Sequence, residues 1–202
     1  MREAGIGRVL VASLHQGIAD ILPTRLAFYE NWLHAEGLRE GTIGLAPLYA
    51  VLSFLRQEEA DAYGLITTRA GEYAAQWTVD SMPPTGRAIM KALPVWLRGR
   101  LLLRLVRRLV RNSYTGSRAF SKLRRGIARV DVRASVFCNV REPVAHPLCL
   151  FYVSAFTRLL ALFDLPADVR VVACRGTGEP SCVVTMTLAV RASRSGVDGE
   201  TA

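Results

Sequence analysis

From Leu10 onward, apolar residues recur at helical spacing. Leu10, Leu14, Ile18 and Ile21 fall on one face of a first helix. Pro23 suits the first turn of a second, which carries Leu26, Tyr29 and Leu33 and stops near Gly37. A third carries Leu48, Val51, Leu52 and Leu55, and a fourth Ala70, Tyr73, Ala74 and Trp77. The small residues Ala70, Gly71, Ala74 and Ala75 leave room for another element to approach the fourth helix closely. Pro83-Pro84 interrupts the chain, and Pro94 opens a further helix to about Asn112.

Near Ala128 the period changes from 3.6 to 2. Val130, Val132, Ala134, Val136, Cys138 and Val140 alternate with mostly polar residues, as in a half-buried strand or a bent hairpin. His146-Pro147 then opens a helix through Leu165, apolar at Leu148, Tyr152, Phe156, Leu159 and Phe163. Two strands close the pattern, Asp168 to Cys174 and Cys182 to Val190, joined by the turn-rich Arg175–Ser181. Helices followed by strands predict an α+β fold: an N-terminal helical layer packed on a C-terminal antiparallel sheet with one crossing helix. The expected organisation is a single domain over 1–192 and a frayed tail over 193–202.

Half of the 202 residues are hydrophobic, enough for a substantial core. The most apolar stretch, Leu97 to Val110, is broken by Arg98, Arg100, Arg104, Arg107 and Arg108, so it does not read as a membrane span. Nothing at the N-terminus reads as a signal peptide, and a cytoplasmic protein, membrane-peripheral at most, is expected. Its four cysteines are then kept reduced.

The formal charge of +9 points to an anionic partner. On the helix from Pro94, Arg100, Arg104, Arg107, Arg108 and Arg111 share about one-third of the circumference. They form either a surface for an acidic partner, anionic lipid or carboxylated ligand, or a solvated face. Lys122, Arg124, Arg125 and Arg129 extend the basic region. Without interleaved aromatics the stripe argues against nucleic-acid binding.

If the last two strands pair through their turn, Cys174 and Cys182 oppose each other on one face. Arg170 and Val172 would lie on the side of Cys174, and Val184 and Met186 on that of Cys182. Cys149 falls in the first turn of the preceding helix with His146 three residues earlier, and Cys138 projects from the apolar face of the earlier strand. These residues form a candidate set for zinc or another thiophilic metal. No C-x-x-C is present, so buried structural thiols and redox chemistry stand beside the metal reading. Tyr73, Trp77 and Phe156, with Tyr29 and Trp32, are candidates to line a cavity for a flat ring, or else simply core. His15 reads as structural, and neither it nor His34 is singled out as a haem ligand.

Several stretches together resemble the 4-vinyl-reductase domain family. They are Ala70-Gly-Glu-Tyr73-Ala74, the run Ala92–Leu103, Thr115-Gly116-Ser117 with Phe120, Pro147-Leu-Cys149 leading to Phe156-Thr-Arg158-Leu159, and Cys174-Arg-Gly176-Thr-Gly178-Glu-Pro-Ser-Cys182. The likeness is greatest to the bacteriochlorophyll 4-vinyl-reductase-like proteins of tetrapyrrole biosynthesis. It covers roughly residues 64–190, leaving 1–63 as a helical extension. It implies a fold similar to transport-particle (TRAPP) subunits and haem-NO-binding-like domains, an apolar ligand cavity, and a homodimer. The family's cysteines carry over to Cys149, Cys174 and Cys182, while Val171-Val172 and Glu179-Pro180 depart from its pattern.

The expected function is therefore to bind or deliver a hydrophobic small molecule, a tetrapyrrole intermediate by the resemblance. The alternatives are a 4-vinyl reductase component using an external electron donor, and a dimeric interaction or assembly module. No G-x-G-x-x-G follows a strand, and no nucleophile elbow, P-loop or H-E-x-x-H is present, so the residues fit a binding role better than an enzyme.

Overall fold

A computed structural model describes residues 6–33 and 44–188. The expected end of the second helix near Gly37, His34, the last residues of the final strand and the tail lie outside the described residues. Two helices, α1 (Arg8–Ile21) and α2 (Leu26–Glu30), are joined by a 3-10 turn at Pro23–Arg25. Four more follow: α3 (Leu45–Glu58), α4 (Ala60–Asp80), α5 (Pro84–Ala92) and α6 (Val95–Ser113). Strands β1 (Arg118–Arg124) and β2 (Ile127–Arg133) lead to α7 (Leu150–Leu162), then to β3 (Ala167–Ala173) and β4 (Cys182–Leu188). The sheet is antiparallel throughout, in the order β1-β2-β4-β3. The expected α+β class, helices on a C-terminal sheet with a crossing helix, is what the chain forms.

Small residues organise the helical layer. Gly17 of α1 sits so close to α4 that a Cβ there would lie 2.7 Å from the Ile66 carbonyl oxygen. On the far side of α4, a Cβ on Gly71 would overlap the Ser154 hydroxyl and the Phe151 carbonyl oxygen of α7. Helix α4 is thus clasped between α1 and α7 through adjacent small residues, as Ala70, Gly71, Ala74 and Ala75 predict, and all four are buried. Phe151, Tyr152, Phe156 and Leu159 of α7, with Phe163 at its C-cap, are buried in one core with Val130, Val132, Val184 and Met186 of the sheet.

Arg98 differs from the other arginines of α6. It turns inward and donates hydrogen bonds to the carbonyls of Leu93 (2.9 Å) and Phe163 (3.0 Å), tying the start of α6 to the end of α7. Among the described residues, no helix is long and apolar enough to cross a membrane.

Three sequence expectations are corrected. Pro83-Pro84 does not simply break the chain, because Pro84 occupies the first turn of α5, where its missing N–H costs nothing. The alternation from Val130 to Val140 is not one strand. It stops at Arg133, Ala134 takes a left-handed φ of 53°, and Val136–Cys138 form a 3-10 turn. Arg170 and Val172 do not share the face of Cys174. Val171 pairs with Val184 but Ala173 with Val183, so the bulge at Val172 reverses the alternation. Arg170 and Val172 face solvent, whereas Cys174 is buried with Cys182, Val184 and Met186.

Candidate metal centre and ligand cleft

Four separate segments deliver four sulfurs to one point. The left-handed turn at Ala134 sends the chain back so that the 3-10 turn buries Cys138. Cys149 is the N-cap of α7, and its carbonyl accepts hydrogen bonds from the Tyr152 and Val153 amides. The Val172 bulge turns Cys174 inward, and Cys182 opens β4. The intervening turn is held by Thr177 Oγ1 and the Glu179 amide, both donating to the Cys174 carbonyl, and closed by Gly178 at φ 94°. The Val144 amide donates to the Gly176 carbonyl at 2.7 Å, fastening the loop before α7 to the hairpin.

The resulting Sγ–Sγ distances are 3.1 Å for Cys138–Cys149, 3.5 Å for Cys138–Cys174 and Cys149–Cys174, and 3.4 Å for Cys138–Cys182. All four sulfurs lie within 4.8 Å of one another, and all four residues are buried free thiols. A zinc ion bound by thiolates at about 2.3 Å spaces its tetrahedral sulfurs by about 3.8 Å, so the cluster is of the size a closed tetrathiolate site requires.

Electrostatics point the same way. The Cys174 thiol is pulled well below the ordinary thiol range by contacts with Cys138, Cys149 and Cys182 and by the Leu148 amide, which donates to its sulfur at 3.4 Å. Cys182 is lowered by Cys138 and Cys149, with further help from the Arg175 amide at 3.4 Å. Cys149 is pushed up by its three sulfur neighbours and by burial. For Cys138 the contact with Cys149 lowers the value, but those with Cys174 and Cys182, together with burial, outweigh it and leave the thiol raised. Thiolates packed this closely would repel one another. A divalent cation relieves that repulsion, and backbone N–H donors to sulfur are the usual outer support of such ligands.

The surroundings are aromatic. Phe137 stacks on Phe151 with ring centroids 4.8 Å apart, and Tyr152 meets both edge-on. The Arg56 guanidinium reaches the Phe137 carbonyl at 3.4 Å and lies over the Tyr63 ring. Burial pushes the Tyr63 and Tyr152 hydroxyls far above the ordinary phenol range.

The four cysteines named from sequence stand together, whereas His146 is exposed and outside the cluster. The ring candidates separate. Phe156 is fully buried beside Tyr152. Tyr73 and Trp77 stack on each other, half-buried, and the Tyr73 hydroxyl donates to Asp20 at 2.7 Å beside Arg69. Tyr29 and Trp32 instead line an apolar cleft of about 110 Å³ with Phe28, Ala50, Val51 and Phe54. Sequence reasoning did not single out Phe28 or Phe54. Phe54 lies off the buried stripe of α3, and an aromatic in that position was the available signal. Arg100, Arg104, Arg107, Arg108 and Arg111 all lie on the exposed face of α6, and Arg100 covers the Trp96 ring. His15 pairs with Glu30 at 2.9 Å.

No family model matches this chain, and no curated protein does. Among solved structures it is similar to an Fe(II) unliganded mutant H-NOX protein from K. algicida. The TM-score is 0.60 at 11% identity, over 92% of this chain and 98% of that one. It also matches the phenol-responsive sensory domain of the transcription activator PoxR, with a TM-score of 0.49 at 17% identity over 71% and 74% of the two chains. The first likeness shows a shared fold.

Proposed function

We propose that this chain is a small-molecule-binding domain of the 4-vinyl-reductase-like type in which Cys138, Cys149, Cys174 and Cys182 hold a structural zinc ion. The observation that carries the reading is the convergence of four buried sulfurs from four separate segments. Four protein ligands leave no open position, so the ion would fasten the β3–β4 hairpin and the loop before α7 to the start of that helix rather than act on a substrate. The ligand site is the cleft of Phe28, Tyr29, Trp32 and Phe54, whose lining is apolar and partly open.

At about 110 Å³ the cleft encloses no more than a compact hydrocarbon, and a benzene-sized ring would project through its open mouth. Apolar cavities of about 150 Å³ hold benzene-sized molecules. The tetrapyrrole implied by the sequence resemblance is far larger, and Tyr152 and Phe156 of α7 and Phe163 at its C-cap are fully buried in the packed core. A pigment-delivering or pigment-reducing role would therefore need those side chains to move.

Benzene titration followed by tryptophan fluorescence tests the ligand site, because Trp32 lines the cleft while Trp77 and Trp96 lie elsewhere. Saturable quenching that Trp32→Phe abolishes supports the reading. A purified protein that carries a porphyrin absorption band, with fluorescence indifferent to benzene, overturns it in favour of the tetrapyrrole.

A further inference from the structure

Helix α6 lies beside β1, and between them runs a groove of about 660 Å³. One wall carries Arg104, Arg107, Arg108 and Arg111, and the other Arg118. Several arginines elsewhere on the surface are matched: Arg25 with Glu59, Arg69 with Asp20 and Glu72, Arg87 with Asp80, Arg170 with Asp168. Among the described residues, none of the five groove arginines has a carboxylate within ion-pair distance. The sheet adds to the imbalance, since Arg118 is paired directly across from Arg133 and like charges so opposed are destabilising. Arg133 leans over the exposed ring of Phe120 at the groove edge, 5.0 Å from its centroid, and reaches Asp131 only at 3.8 Å.

We infer that this groove is a binding site for a soluble anion carrying two or more phosphate groups. Concentrating five like charges costs stability unless an anion offsets it, and these charges face one another across a concavity. All five are arginine. A guanidinium fork matches phosphate oxygens bidentately, which an ammonium does not. Arg104 and Arg111 stand about 10 Å apart along the helix axis, longer than one phosphate and suited to a short chain of them. The volume falls in the range of small-molecule sites. The lining is polar, so the groove does not compete with the aromatic cleft for an apolar ligand, and neither the proposed zinc nor the cleft is needed for it.

The test is isothermal titration of the full chain with sodium tripolyphosphate and with ATP, alongside sulfate. One site per chain, filled by tripolyphosphate or ATP at least tenfold more tightly than by sulfate, is the expected result. Tighter binding of ATP would assign a nucleotide, and equal binding a phosphate chain as such. Arg107→Gln with Arg118→Gln removes one charge from each wall and should weaken binding by about tenfold or more. Arg124→Gln with Arg129→Gln, the same charge change outside the groove, should leave it unchanged. All these residues are exposed, so thermal midpoints should stay within a few degrees and report intact folding. Binding no tighter than sulfate overturns the inference, as does equal loss in both double variants. Affinity only for long single-stranded DNA or only for phosphatidylglycerol vesicles would also overturn it and assign the surface to that partner.

Discussion

Replacing Gly71 by alanine should destabilise the protein, although alanine is the better helix former. An added Cβ would overlap the Phe151 carbonyl oxygen and lie 3.0 Å from the Ala155 amide, both backbone atoms of α7. The Ser154 hydroxyl is also in the way, and moving it would break its 3.1 Å hydrogen bonds to the Leu150 and Phe151 carbonyls. The two helices must part by about 1 Å, and overpacking of this kind costs about 3 kcal/mol where backbone has to move. Alanine's helix propensity returns about 1 kcal/mol. The net loss of about 2 kcal/mol lowers the melting temperature of a domain this size by about 4–8 °C. Gly86, inside α5, has nothing within 4 Å of the point where a Cβ would sit, so Gly86→Ala should gain about 0.5–1 kcal/mol. Circular dichroism melts and urea curves of the two variants, compared with the parent, read both signs. A Gly71→Ala protein as stable as the parent would refute the close clasp of α4 on α7.

Three further outcomes are expected. Cys174→Ala should leave only three of the four ligands, lower the melting temperature by at least about 10 °C and abolish metal retention, both measured on the same preparation. Tyr73→Phe should raise the Asp20 pKa toward its ordinary value, followed by carboxyl NMR, because the Tyr73 hydroxyl is the largest of the contacts that lower it, ahead of Arg69 and Gln16. Since folding lowers that pKa, Asp20 contributes stability above its unfolded value of about 3.9 and loses it as pH falls through the folded value. Asp20→Asn should therefore cost a few tenths of a kcal/mol at pH 7, the pair being largely exposed, and nothing once the pH is below the folded pKa.

The helical half was legible because its stripes are strong and local. The spacing of Leu10, Leu14 and Ile18 and of Leu48, Val51, Leu52 and Leu55 marks α1 and α3, and the run of small residues marks the face of α4 that admits α7. Strand β1 was not legible. Its inward positions carry only Ala119, Ser121 and Leu123, while the outward Phe120 inverts the usual pattern. The four cysteines could be named from the sequence, though His146 named with them stands outside their cluster, and the route that brings them together was not legible. Alternation alone places Cys138 on a strand, and only the left-handed turn at Ala134 explains its actual route inward. Regular pairing likewise places Arg170 beside Cys174, and one extra residue at Val172 reverses that. Both errors have the same origin: a single residue of irregular backbone changes which face a side chain takes, and no periodicity announces it. The cleft depends on Phe54 meeting Phe28, a contact between helices that neither stripe encodes.

The proposed centre requires its four cysteines to act as one ligand set. Native mass spectrometry with elemental analysis of the purified chain measures this directly. The prediction is one zinc per chain, absent from the Cys174→Ala, Cys182→Ala double variant and released from the parent as acid protonates the thiolates. A folded parent that carries no metal, takes none up from added zinc and exposes four reactive thiols only on unfolding would contradict it.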